Sequence, residues 1–161
     1  MKIGVLSDTH DDLAATEHAV GLLLSRDAEA FIHCGDITGP DILRVCSQSP
    51  TWFVYGNHDS DCVPRLEAAC HDPNLHSLGW GGEIELAGRR IAVTHGHMTM
   101  DVKPLLAARP HYLLTGHFHE AADWTEHGVR RVCPGALHRA TPRTVAVLDL
   151  QTTAVEFLEV R

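Results

Sequence analysis

Between residues 2 and 119 the chain runs five times through a short apolar stretch and stops on a glycine, an aspartate or a histidine. Lys2-Ile3-Gly4-Val5-Leu6 ends in Ser7-Asp8-Thr9-His10, and Ala30-Phe31-Ile32-His33-Cys34 ends in Gly35-Asp36. Thr51 to Tyr55 ends in Gly56-Asn57-His58-Asp59, the most compact of the five. Arg90 to Thr94 ends in His95-Gly96-His97, and Tyr112 to Thr115 ends in Gly116-His117-Phe118-His119. Short runs rich in β-branched and aromatic residues read as buried strands. In open α/β sheets, function collects in the crevice beyond the carboxyl ends of parallel strands. The five sets are therefore expected to meet at one rim.

The intervening segments fit that reading. Asp11 or Asp12 can cap a helix whose stripe is Leu13, Val20, Leu23 and Leu24, with Ala15 and Ala19 between. Pro40 suits the first turn of a second helix, through about Ser47, and Cys62 to Cys70 reads as a third. Strand, helix and strand in succession is what a right-handed parallel crossover requires. Glu83 to Leu86 alternates as a half-exposed strand, and Ala87-Gly88 turns it into the run that starts at Arg90. Val102 to Ala108 reads as a helix. The remainder is β-rich: Ala121 to Glu126, Val129 to Cys133, Thr144 to Leu150 and Ala154 to Val160. One α/β domain over residues 1–161 is expected.

Asp, Asn and His without thiolate make a mixed oxygen and nitrogen donor set. It suits Mn²⁺, Fe²⁺, Zn²⁺, Ni²⁺ or Co²⁺ and argues against a structural zinc site. Asp8 with His10, and His117 with His119, are spaced two apart, which in extended backbone turns both side chains the same way. Six or seven donors exceed one tetrahedral ion. Two ions about 3.5–4 Å apart, sharing one carboxylate, match the count; a single ion ringed by outer histidines is the alternative. One such histidine alone would more often be a core or surface residue. Five strand ends together point to a metal centre. His18, His33, His71, His76, His111 and His127 fall outside the pattern, and His138, after the turn Pro134-Gly135, can line the site.

Composition narrows the partners. The formal charge is −8 over 161 residues, with 44% hydrophobic and 21% charged residues. That balance belongs to a globular chain and speaks against strong nucleic-acid binding through phosphate contacts. The N-terminus lacks a basic and then apolar leader, and the five cysteines show no CxxC spacing. A cytoplasmic protein with free thiols, away from membranes, is expected. Cys34 and Cys133 read as small buried hydrophobes.

Taken together, Asp8-x-His10, Gly35-Asp36, Gly56-Asn57-His58-Asp59, His95-Gly96-His97 and Gly116-His117-x-His119 resemble the calcineurin-like metallophosphoesterases, in the family's order. Chain length and Cys133-Pro134-Gly135 resemble its small phosphodiesterase branch. The resemblance implies two packed mixed β-sheets flanked by helices. It implies one metal on Asp8, His10, Asp36 and His119, and another on Asp36, Asn57, His95 and His117, with Asp36 bridging. It implies hydrolysis of a small phosphodiester by a bridging hydroxide on a two-metal centre, Mn being the first choice. His58 would stand beside the phosphate as general acid or electrostatic stabiliser, and Asp59 and His97 are candidates to orient ligands. A phosphomonoesterase on the same centre and a non-enzymatic docking scaffold are the alternatives, and a homodimer or larger homo-oligomer fits the branch. In two places the chain departs from the pattern. Cys133 to Ala136 replaces Asn-Pro-Gly-Ser, and Gly39 stands where related phosphatases place the aspartate that orients the histidine acid. Substrate selection is expected in Ser60 to Gly79 or Met98 to Pro104. Arg139 and Arg143 are candidate phosphate contacts, with surface or structural roles the alternative, while Trp80 and Trp124 read as core or interface packing residues, with exposed contacts the alternative.

Overall fold

The computed structural model describes residues 1–161. Eleven strands and four helices follow in the order β1 (Lys2–Leu6), α1 (Leu13–Ser25), β2 (Ala28–His33), α2 (Pro40–Cys46), β3 (Thr51–Phe53), α3 (Val63–Ala69), β4 (Leu75–Ser77) and β5 (Gly81–Leu86). Then come β6 (Arg89–Thr94), α4 (Thr99–Ala107), β7 (Tyr112–Leu114), β8 (Ala121–Glu126), β9 (Val129–Pro134), β10 (Thr144–Asp149) and β11 (Val155–Glu159).

Two mixed sheets result. The first has the order β11-β10-β1-β2-β3-β4, and the second β5-β6-β7-β9-β8. β1 to β4 pair in parallel, as do β6, β7 and β9, while β10 pairs antiparallel with β1 and the hairpins β5-β6, β8-β9 and β10-β11 are antiparallel. The main core lies between the sheets. Ile3, Val5, Ile32, Cys34 and Val54 from one meet Ile91, Val93, Leu114 and Val132 from the other, all fully buried. Burial on both faces explains why these strands read as continuous apolar runs. Outside the first sheet, α1 sets Ala15, Ala19, Val20 and Leu23 against Phe31 and Val145. Outside the second, α4 lays Val102, Leu105 and Leu106 on Ala92, Leu113 and Val129.

The structure corrects four expectations. The five strand ends belong to two facing sheets, three from the first and two from the second, so packing of the sheets brings them together. β4 is a three-residue strand that periodicity cannot reveal. The third strand stops at Phe53, two residues short of Tyr55, where the N–H of Tyr55 leaves the ladder for the carbonyl of Gly79. α4 begins at Thr99, three residues before Val102, with Pro104 inside it. The cap of α1 is Asp12, whose carboxylate accepts the N–H of Ala15 at 3.1 Å. All five cysteines are unpaired, and burial pushes the thiol of Cys133 up to about 11. No helix is long and apolar enough to cross a membrane.

Candidate metal centre

Each strand end leaves its sheet by an abrupt turn. Asp8, His10, Asp36, His117 and His119 all have positive φ, from 43° to 71°. This left-handed region is costly for side chains other than glycine and collects at functional sites. It also corrects the reason for the two-residue spacing. In Asp8 and His10, and in His117 and His119, the backbone is left-handed at both members of each pair, where extended backbone was expected. Two glycines let the turns close. A β-carbon on Gly56 would collide with Oδ1 and the main-chain nitrogen of Asp36, and one on Gly116 with Oγ of Ser7.

Two groups of donors converge. Asp8, His10 and His119 form one, and Asp8, Asp36 and His95 the other, with the ligand atoms of each within 4.8 Å of one another. Asp8 is common to both groups, and Oδ2 of Asp36 lies 3.3 Å from Nε2 of His10 in the first and 3.5 Å from Nε2 of His95 in its own. Nε2 of His95 also lies 3.1 Å from Oδ1 of Asn57, while its Nδ1 is 2.8 Å from the carbonyl of Cys34, which fixes the ring. His119 Nε2 is 3.1 Å from Oδ1 of Asp8. The His117 ring sits 5.2 Å from that of His95 at the exposed mouth. All seven sequence-predicted donors are thus at one rim.

Charge in the cleft is arranged for a cation. Burial would raise the pKa of Asp36, but hydrogen bonds from His10, His95 and the N–H of His58 outweigh it and hold the carboxyl well below the usual range. Burial would lower His95, and the carboxylates of Asp36 and Asp8 instead raise it. His117 and His97 are lowered, by burial first and by neighbouring imidazoles second. Oδ1 of Asp8 is fully buried, and its polar neighbour, Nε2 of His119 at 3.1 Å, is not placed in hydrogen-bond geometry to it. A buried carboxylate oxygen left open among imidazole nitrogens is what a divalent cation would complete, so the donor set fits metal ions.

The surrounding side chains hold the donors in place. Oγ of Ser7 donates to Oδ2 of Asp8 at 2.6 Å, and the N–H of His117 donates to the same oxygen at 3.1 Å. Buried Asp59 accepts N–H groups from Gly56, Ile37 and Thr38 at 2.7–2.9 Å. Burial raises its pKa and those three bonds partly offset the rise. His33 takes the N–H of Gly35 on Nδ1 at 3.2 Å and reaches Oγ1 of Thr9 through Nε2 at 3.1 Å. Sequence reasoning set His33 aside as structural and passed over Ser7. Their signal is position alone, one residue before Asp8 and two before Gly35.

The cleft holds about 320 Å³ and is lined by His10, Asp36, Asn57, His58, His117, His119, His138 and Arg139. The His138 ring lies tilted against that of His10 with centroids 4.6 Å apart, and its main-chain N–H donates to the carbonyl of Asp8 at 2.9 Å. The ring of His58 lies 5.0 Å from that of His10. Where a side chain at residue 39 would sit, the carboxylate of Asp11 occupies the space beside Gly39. The ring of His97 stands outside the cleft lining, 5.3 Å from His95 and 6.3 Å from Trp80. Arg143 pairs with Asp12 at 3.2 Å.

Comparison with known proteins agrees with the geometry. Residues 1–153 match the family described as the calcineurin-like phosphoesterase superfamily domain. A protein of Methanocaldococcus jannaschii named phosphodiesterase MJ0936 is 26% identical over 160 residues, covering 94% of both chains. Among solved structures, an archaeal phosphodiesterase superposes with a TM-score of 0.88 at 23% identity, covering 99% of each chain. The phosphoesterase YfcE of E. coli superposes with a TM-score of 0.68 at 18% identity over the full length of both.

Proposed function

Because the chain belongs to the calcineurin-like phosphoesterase superfamily, we propose that it is a metal-dependent phosphodiesterase acting on a small phosphodiester in the cytoplasm. The observation that carries this is the open, buried Oδ1 of Asp8 facing the imidazoles, with Asp36 Oδ2 set between His10 and His95. The residues that would hold two divalent cations are Asp8, His10, Asp36 and His119 for one, and Asp36, Asn57, His95 and His117 for the other. Mn²⁺ is the first candidate, ahead of Fe, Zn, Ni and Co. Such cations supply positive charge at the phosphoryl oxygens and lower the pKa of a water enough for it to attack near neutral pH.

The chain's own groups do the rest. His58 protonates the departing alkoxide, a step worth about 10²–10⁴-fold. Its N–H donates to Oδ1 of Asp36 at 2.9 Å, which anchors the ring at the cleft. Arg139 brings a permanent positive charge to the cleft and meets a non-bridging phosphoryl oxygen. Asp59 holds the loops of Asp36 and Asn57 together, and one domain, as a homodimer or larger assembly, carries the whole site.

The test is turnover. Purified protein is incubated with each of Mn²⁺, Fe²⁺, Zn²⁺, Ni²⁺ and Co²⁺ and offered bis(4-nitrophenyl) phosphate and 4-nitrophenyl phosphate. Metal-dependent release from the diester, faster than from the monoester, is expected. Hydrolysis of the monoester alone overturns the diester assignment, and hydrolysis of neither overturns the enzyme.

A further inference from the structure

We propose that an apolar shelf beside the cleft, formed by Trp80, Met98, Met100 and Phe118, binds a planar aromatic or heteroaromatic ring carried on one alcohol of the phosphodiester. The proposal rests on the phosphodiesterase reading above and names the class of substrate. Seven large hydrophobic side chains are exposed in the chain, these four at 42%, 42%, 69% and 60%; Trp80 and Met100 line one pocket, Phe118 packs beside His117, and Met98 follows His97 in the chain. They come from three separate segments: the turn before β5, the start of α4 and the loop after β7. Single exposed hydrophobics need no explanation, whereas a gathered patch marks a binding surface. At 42% exposure Trp80 is not a core residue, which leaves the interface or exposed-contact roles that the sequence allows.

Packing does not require the shelf. α4 already packs on the second sheet through the half-buried Val102, Leu105 and Leu106. Met98 and Met100 are left over, and methionine is a soft, adaptable contact for aromatic rings. Trp80 is steadied from behind by Tyr55, edge-on at 5.4 Å.

The shelf is continuous with the metal centre. Ring centroids step from Trp80 to His97 at 6.3 Å, from His97 to His117 at 6.1 Å, and from His117 to Phe118 at 5.7 Å. At its outer end, Trp80, Met100, Pro104 and Leu105 line a pocket of about 270 Å³. The cleft proper has no apolar residue in its lining. A phosphoester with a charged head and a flat apolar arm would find each end matched. A second copy of the chain seated on the shelf would instead cover His117 at the mouth of the cleft.

The test uses the Mn²⁺-loaded protein and two ligands with one head group, phenylphosphonate and methylphosphonate, neither of which can be hydrolysed. Titration calorimetry should show the phenyl compound bound about tenfold more tightly. Met100→Ser and Phe118→Ser should each reduce that ratio about threefold, and Trp80→Ala further, with metal content and Tm recorded for every variant. Equal affinity for the two ligands, or a ratio the variants leave alone, overturns the shelf. So does a change from dimer to monomer in the variants with the ratio intact, which marks a self-association face. Turnover of methyl 4-nitrophenyl phosphate is followed in parallel. Turnover with an unselective shelf sinks only the subsite, while a variant-sensitive ratio without turnover keeps the shelf and sinks the phosphodiesterase.

Discussion

The carboxylate of Asp59 accepts the main-chain N–H of Ile37 at 2.9 Å, and its other oxygen accepts that of Gly56 at 2.8 Å. One buried acid thereby ties the loop bearing Asp36 to the loop bearing Asn57 and His58. Asp59→Asn keeps the volume but turns an N–H₂ toward N–H donors, leaving at least one of them unpaired. A loss of about 1–3 kcal/mol in stability is expected. Metal affinity should fall about 10–100-fold, because such outer supports orient the ligands. Thermal unfolding and metal titration check both. Unchanged affinity with lowered Tm would show that the clamp serves the fold alone.

Oδ2 of Asp36 reaches His10 of one donor group and His95 of the other. Asp36→Asn removes the charge both groups rely on. Both cations should be lost together, read as metal per chain by elemental analysis after reloading. Retention of one equivalent would contradict a shared ligand.

Much of this site was legible in the sequence, because strand ends carry a sharp local signal: an apolar run, then glycine and a donor. The seven donors needed no knowledge of which sheet each strand joins. The sheet assignment itself was not legible. β10 returns to pair with β1 after more than a hundred residues, and nothing local in Thr144 to Asp149 encodes that partner. β4 was invisible because three residues carry no period. The bracing by His33 and Ser7 was hidden too, since a buried hydrogen bond depends on the neighbour packing provides. The left-handed backbone at Asp8 and His119 likewise follows from tertiary closure, against local preference.

His33 makes a prediction about acid. Burial, first of all, and the neighbouring His95 lower it to about 3 from an ordinary 6.5. Between those values the unfolded chain takes a proton that the folded chain refuses, so stability falls as pH drops below 6.5. It is fully present above that value, and the slope approaches about 1.4 kcal/mol per pH unit within the window. Denaturant unfolding of the metal-free protein from about pH 6.5 to about pH 4.5 measures it. His33→Gln should flatten the slope whatever it costs in absolute stability. An equal slope in both proteins would assign the acid sensitivity elsewhere.

His58 separates chemistry from assembly, because its two ends do different things. The main-chain N–H holds Oδ1 of Asp36, and the ring alone faces the cleft. His58→Ala deletes the ring and keeps the N–H, so metal content should stay at the wild-type value while kcat falls about 10²–10⁴-fold. The size of the loss should follow the alcohol being expelled. A 4-nitrophenolate leaves without help from an acid, whereas an alkoxide needs its proton as the bond breaks. The variant should therefore lose far more activity on an alkyl ester than on a 4-nitrophenyl ester. Equal losses on both would mean that the ring stabilises charge on the phosphoryl group and does not deliver the proton. A parallel fall in metal content would make it a ligand.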